Sequence, residues 1–186
     1  LREVEKIIKT ITVSKTSIKY ALTKFHILDL ALKGVKNPLG EFERVFKRRS
    51  YFKSVINEIQ KVKKVEAEPN IVLLGDFNEN PDDKNVLLLE SAGLTNLMMA
   101  MIDKKDISTY IYRGTNYLYD QIIVSNNILD EKGFTLAGST AYILDLPKYR
   151  QQKGKYKNYP FRFWAGNKLL GGYSDHLAVK ADFETK

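Results

Sequence analysis

The chain has 186 residues, 44% of them hydrophobic and 28% charged, with a formal net charge of +8 and no cysteine. Those proportions suit one soluble globular domain, able to bury roughly two-thirds of its unfolded surface. They exclude an intrinsically disordered chain, a disulfide scaffold and thiolate metal sites.

The basic balance favours polyanions such as nucleic acid or phosphate-bearing headgroups, although lysine also serves as a plain solubilising residue. No apolar run reaches the roughly 18 residues that a bilayer span needs, and no signal peptide is visible. The chain opens on Leu1 and not on methionine, as a processed or truncated piece would. Any targeting segment would then lie upstream, which leaves the compartment open between cytoplasm and secretion or periplasm.

In chain order, residues 41–64 carry apolar side chains at Phe42, Val45, Phe46, Phe52, Val55, Ile56, Ile59 and Val62. That spacing predicts a helix with lysine and arginine on its other face. Pro69 and Asn70 mark a turn. Ile71 to Leu74, ending at Gly75, reads as a short strand buried on both faces. Residues 82–92 predict a helix capped by Asp82 or Asp83 and stopped by Gly93. Residues 107–113 and 118–125 are rich in β-formers and flank Gly114-Thr115-Asn116, which predicts a hairpin. A further strand is expected over 134–144, a polar basic loop over 145–160, and a half-buried strand through Leu177, Val179, Ala181 and Phe183. Mixed strands and helices with a hairpin argue for an α/β or α+β fold. Neither GxGxxG nor a Walker A pattern occurs.

Three short motifs set polar groups at strand ends: GDFN at 75–78, YDQIIVS at 119–125 and YSDH at 173–176. A strand end is a rigid mount beside an open loop, which suits chemistry. Taken singly, each motif has a plainer explanation. Asp76 would serve as a turn or cap residue, Asp120 would merely open a strand, and His176, one of two histidines, would be a hydrogen-bonded surface imidazole.

Together and in this order, the motifs resemble the endonuclease/exonuclease/phosphatase superfamily, metal-dependent phosphoesterases with the DNase I-like fold. The flanks TYIYRGTNYLYDQIIVS and PFRFWAGNKLLGGYSDHLAV are similar to a bacterial branch of it. The resemblance runs from about Asn70 to Phe183 and is thinner over 25–60. It implies a four-layer sandwich of two mixed β-sheets flanked by helices. Residues 1–186 would be one such domain, the larger C-terminal part of it, lacking its N-terminal strand or strands.

The resemblance also implies roles. Asp76 would orient or deprotonate the attacking water, and Asn78 would donate to a phosphoryl oxygen. Asp120 would hold His176, which would meet the phosphate as acid, base or cationic clamp. Asp175 would face a divalent metal, Mg2+ or Mn2+. The principal metal ligand of the family is a glutamate, and the opening LREVEK is similar to the stretch that bears it. Glu3 is therefore the candidate, set against an ordinary amphipathic helix over residues 1–9. Ser174 is expected to fix a turn.

The chain also departs from the family. The family's NxHLKS-like stretch is matched best by DLALKG at 29–34, where Ala31 takes the histidine position. His26 lies five residues earlier, an odd offset that points to the opposite face of a strand. Lys33 or Arg48 would be compensating charges at the substrate. Arg162, in the PFR stretch, is the preferred substrate contact. Lys148, Arg150, Lys153, Lys155 and Lys157, interleaved with Tyr149, Tyr156 and Tyr159, suit a phosphate backbone with unstacked bases, or a merely solvated loop.

The expected function is hydrolysis of phosphodiester bonds in a nuclease-like manner, with nucleic acid or another phosphate ester as substrate and a monomer as the default state. Two alternatives stand beside it: a phosphatase acting on small or lipid phosphates, and an inactive remnant that binds polyanions.

Overall fold

A computed structural model of the chain describes residues 36–186. The chain divides into two compact units, 1–53 and 54–186. Helix α1, Pro38–Val65, supplies most of the described part of the first unit and continues into the second. It begins three residues earlier than the apolar spacing alone indicates. Proline suits a first helical turn, where its missing N–H is not needed. Lys63 and Lys64 occupy the last turn, where cations complement the carbonyl end of the dipole. In the second unit Lys63 Nζ also donates to the Ala92 carbonyl at 2.7 Å.

The second unit is built from short antiparallel sheets. Strand β1 (Val72–Asp76) leads to helix α2 (Lys84–Glu90) and strand β2 (Leu94–Asn96). Then come β3 (Tyr110–Tyr112), β4 (Thr115–Tyr117), β5 (Asp120–Ser125) and β6 (Phe134–Ile143). The last three are β7 (Trp164–Ala165), β8 (Lys168–Leu169) and β9 (Val179–Thr185). Strand β5 is the centre of a sheet ordered β1-β5-β2, while β3-β4, β6-β9 and β7-β8 pair separately. The described chain is a mixed α+β fold with few helices and several antiparallel sheets, as the motifs led one to expect. Among the described residues no helix is long and apolar enough to cross a membrane. The expected loss of an N-terminal strand concerns residues outside the described range.

The core joins two sheets. Ile122 and Val124 of β5 cluster with Leu97, Met98, Met101, Ile128, Leu136 and Ala141, and Val179, Ala181 and Phe183 of β9 pack against that cluster. Val179, Ala181 and Phe183 alternate with exposed Lys180 and Asp182, the period-2 pattern of a strand with one wet face. On the other face of β5, Gln121, Ile123 and Ser125 are buried as well.

Three local expectations need correction. Burial on both faces belongs to β5, not to β1: Leu74 is 72% exposed. The reason is position, since among the described residues β1 pairs with β5 alone while β5 pairs on both sides. The predicted hairpin exists, but its arms are β3 and β4, and β5 belongs to another sheet. Arg113 and Gly114 both have positive φ, 51° and 86°, the signature of a two-residue turn that matches strand twist. Asp83 takes the N-cap position of α2, and its carbonyl accepts the Leu87 amide at 3.0 Å, but its side chain makes no cap bond. Its carboxylate accepts the Asn80 amide instead, at 2.7 Å.

Candidate active site

Antiparallel pairing brings the first two motifs together. GDFN closes β1 and YDQ opens β5, so the C-terminal end of one lies beside the N-terminal end of the other. The register puts Asp76 directly opposite Asp120, and opposed residues share a face. The ladder runs one step further, with Phe77 N donating to the Tyr119 carbonyl at 2.8 Å. Beyond the strands, Leu118 N donates to Asn80 Oδ1 at 2.9 Å, and buried Gln121 donates through Nε2 to the Glu79 carbonyl at 2.8 Å. These two bonds tie the GDFNEN turn to the start of β5.

The turn itself is an Asx turn, in which an aspartate side chain caps the backbone two residues on. Asp76 Oδ1 accepts the Asn78 amide at 2.8 Å, and Asp76 Oδ2 accepts Asn78 Nδ2 at 2.9 Å. Asn78 sits at φ 52°, a region that asparagine tolerates better than most residues. Gly75 sits at φ 139°, where a side chain would be strained. The glycine lets the chain leave β1 at the angle that presents Asp76.

The third motif docks on β3. His176 forms an isolated antiparallel bridge with Tyr110, and Leu177 N donates to the Thr109 carbonyl at 2.8 Å. Thr109 is wholly buried, and its Oγ1 accepts the amides of both Tyr119 and Asp120 at 3.1 Å. One threonine therefore holds the Asp120 backbone with its hydroxyl and the residue after His176 with its carbonyl. His176 N donates to Ser174 Oγ at 3.1 Å, the turn-fixing bond expected of that serine.

The side chains then meet. His176 Nδ1 lies 2.7 Å from Asp120 Oδ2, and Nε2 lies 4.0 Å from Asp76 Oδ2. A carboxylate can only accept, so Nδ1 carries the hydrogen of the short bond. The 4.0 Å separation is within electrostatic reach but too long for a hydrogen bond. Tyr110 stacks on the imidazole with ring centres 4.6 Å apart. The His176 pKa is raised above its usual 6.5. The hydrogen bond to Asp120 is the main cause, with the charges of Asp120, Asp76 and Asp175 adding to it against partial burial. The imidazolium is thus favoured, and its tautomer and direction are set by Asp120.

Asp175 lies 3.8 Å from the guanidinium of Arg162. The approach of these two segments depends on Gly172. A Cβ there would stand 2.0 Å from the Phe161 carbonyl oxygen and 2.7 Å from that of Arg162, both backbone atoms with little freedom to move. Tyr173 N donates to the Phe161 carbonyl at 2.6 Å.

Asp76, Asn78, Asp120 and His176 are therefore gathered in one place, with Asp175 near enough to act on the His176 charge and Arg162 beside Asp175. Glu3, Lys33, His26 and Ala31 lie outside the described residues. Arg48 is on α1 in the first unit. Among the described residues no three His, Cys, Asp or Glu side chains form a cluster that could hold a metal ion. A hard cation such as Mg2+ takes as few as one or two carboxylates and completes its shell with phosphate oxygens and water. Asp175, whose guanidinium contact is longer than a hydrogen bond, fits a one-carboxylate share of such a site. Thr109, Tyr110, Asn80 and Gly172 belong to the site's construction and escaped the reading of the motifs, although TYIYRG and GGYSDH contain three of them.

Residues 39–185 match the family model described as Endonuclease/Exonuclease/phosphatase family. No curated protein and no solved structure matches the chain.

Proposed function

The chain belongs to the endonuclease/exonuclease/phosphatase family, whose members are hydrolases of phosphate esters, and from that premise we propose that it hydrolyses phosphodiester bonds with a divalent metal, in the manner of a nuclease. The observation that carries the reading is the 2.7 Å bond from His176 Nδ1 to Asp120, with Asp76 facing the other ring nitrogen at 4.0 Å. Two acids and an imidazole from three distant segments can orient water, move protons and offset charge, which supports phosphoryl transfer to water.

In this mechanism Asp76, held by Asn78, orients the attacking water and takes its proton. As the water oxygen bonds to phosphorus, the P–O bond to the leaving alcohol breaks, and His176, kept protonated by Asp120, gives that departing oxygen its proton from Nε2. Asn78 adds an amide donor to a phosphoryl oxygen, and Arg162 contributes positive charge beside it. Tyr110 covers one face of the imidazole and restricts its rotation. A bound Mg2+ or Mn2+ would supply further neutralisation at the phosphoryl oxygens. Asp175 is its proposed ligand among the described residues, with Glu3 as the proposed second carboxylate. Lys33 and Arg48 are proposed as further charges toward substrate.

The test offers plasmid DNA, RNA, and sugar or inositol phosphates, each with Mg2+ and again with EDTA. The reading expects metal-dependent cleavage of a nucleic acid. Turnover of the small phosphates alone would move the assignment to a phosphatase. No product with any substrate, alongside salt-sensitive polyanion binding, would mark an inactive binder.

A further inference from the structure

A cleft of about 760 Å³ opens beside the site, lined by Tyr112, Arg113, Lys155, Tyr156, Tyr159 and Arg162 among others. Its walls are the β3–β4 turn, the 145–160 loop and the β7–β8 hairpin. Among the described residues no acidic side chain lines it. Tyr112 and Tyr156 are each 50% exposed, and each carries a cation over its ring: Arg113 at 5.2 Å and Lys155 at 5.6 Å. A base stacks on an exposed ring and a cation beside it meets the adjoining phosphate, so each pair suits one nucleotide.

The cleft is joined to the imidazole by stacked rings. His176 and Tyr110 are 4.6 Å apart at an interplanar angle of 22°, and Tyr110 and Tyr112 are 6.5 Å apart at 10°. Tyr110 and Tyr112 share one face of β3 because they are two residues apart. Arg162 joins the two places from the other side, since it lines the cleft and approaches Asp175. The loop wall is internally braced. Arg150 grips both carboxylate oxygens of Asp145 and the Asn158 carbonyl, and Gln151 N donates to the Tyr159 carbonyl at 2.8 Å. Arg150, counted among the loop's basic residues, is thus spent on structure, while Lys155 is left at the cleft.

We propose that this cleft is the subsite for single-stranded nucleic acid flanking the bond to be cut, with unstacked bases on Tyr112 and Tyr156 and the backbone phosphates on Arg113, Lys155 and Arg162. The proposal deepens the nuclease reading and rests on it for its purpose, though not for its test. Exposed ring faces suit bases that have left a helix. A duplex keeps its base faces stacked inside and offers phosphates alone. Small phosphates would use the cations and leave the rings uncovered.

The test is binding without turnover. Fluorescence anisotropy in EDTA measures a labelled dT oligonucleotide of about 12 nucleotides against a duplex of the same length, with inositol phosphate and inorganic phosphate as competitors. The single strand is expected to bind more tightly than the duplex. Tyr112→Ala and Tyr156→Ala should each weaken it roughly five- to a hundred-fold, with thermal unfolding unchanged because both rings are half exposed. Lys155→Gln should reduce the slope of log affinity against log salt by about 1. Equal binding of duplex and single strand, or wild-type affinity in both tyrosine variants, would overturn the proposal. So would displacement by inositol phosphate at concentrations where inorganic phosphate has no effect. Single-strand binding with no cleavage under any metal would sink the hydrolytic reading and leave the cleft assignment standing.

Discussion

Asp76 and Asp120 end two neighbouring antiparallel strands at the same rung, directly opposite each other, and His176 lies between their carboxylates at 4.0 and 2.7 Å. Two acids 44 residues apart in sequence thereby act on one imidazole. The consequence is a histidine biased toward its charged form, and that bias is open to measurement.

Asp120→Asn should lower the His176 pKa, because it removes both the hydrogen-bonding carboxylate and its charge. The chain has two histidines, so two imidazole signals in a proton NMR titration suffice to read it. The account expects one signal titrating above 6.5 in the wild type and moving down in the variant. An unmoved signal would break the link between Asp120 and the imidazolium.

Stability should carry the same signature. The folded pKa of His176 lies above the unfolded value of 6.5, so its contribution is complete below about pH 6.5 and is lost as pH rises through the folded value. Urea unfolding at pH 5.5 and pH 8.5 should show a larger loss on alkalinisation for the wild type than for His176→Gln. Parallel losses in both proteins would contradict this.

Gly172→Ala should destabilise the protein by about 1–3 kcal/mol, because the added Cβ meets the carbonyl oxygens of Phe161 and Arg162 and not a movable side chain. Activity should fall further than stability explains, since the same contact sets Arg162 beside Asp175. Denaturant midpoints read the first effect, and assays well below the midpoint read the second. A variant as stable as the wild type would show that the two segments separate without cost.

Thr109→Val removes the acceptor shared by the amides of Tyr119 and Asp120. The expected cost is about 1–3 kcal/mol for donors left unsatisfied in part-buried backbone. It should also lower the His176 pKa by loosening Asp120, which separates a positioning role from a purely structural one. Thr109→Ser keeps the hydroxyl and should restore most of both.

The motifs were legible because polar residues at the ends of apolar runs are visible without tertiary information. GDFN follows a run of four apolar residues, and YDQIIVS begins one. That the two lie side by side depends on β1 and β5 being antiparallel neighbours, which no local pattern specifies. The β3–β4 hairpin was half legible. Gly114 marked a turn, but its pairing with Arg113 at positive φ gave a tighter loop than Gly114-Thr115-Asn116, and the strand after it joined another sheet. Thr109 and Gly172 are silent in the sequence because their roles consist of tertiary contacts, Thr109 with Tyr119, Asp120 and Leu177 and Gly172 with Phe161 and Arg162, and a single threonine or glycine carries no period. Leu74 departs from the expected burial because a short apolar run looks the same whether its strand pairs on one side or on both, and among the described residues β1 pairs with β5 alone.

Hydrolysis should require the Asp76 carboxylate. Asp76→Asn keeps the size and the turn-forming capacity but cannot take a proton from water, and is expected to slow turnover roughly 10²- to 10⁴-fold with near-native stability. Initial rates on the substrate identified by the metal-dependent screen measure this. Full activity in the variant would remove Asp76 from the chemistry.

The most direct measurement of the central claim is a double-mutant cycle on metal-dependent hydrolysis, using Asp120→Asn, His176→Ala and both together. If Asp120 acts only through the imidazole it holds, the double variant is no slower than His176→Ala alone. Independent, multiplying losses would contradict a single Asp120–His176 unit at the centre of this site.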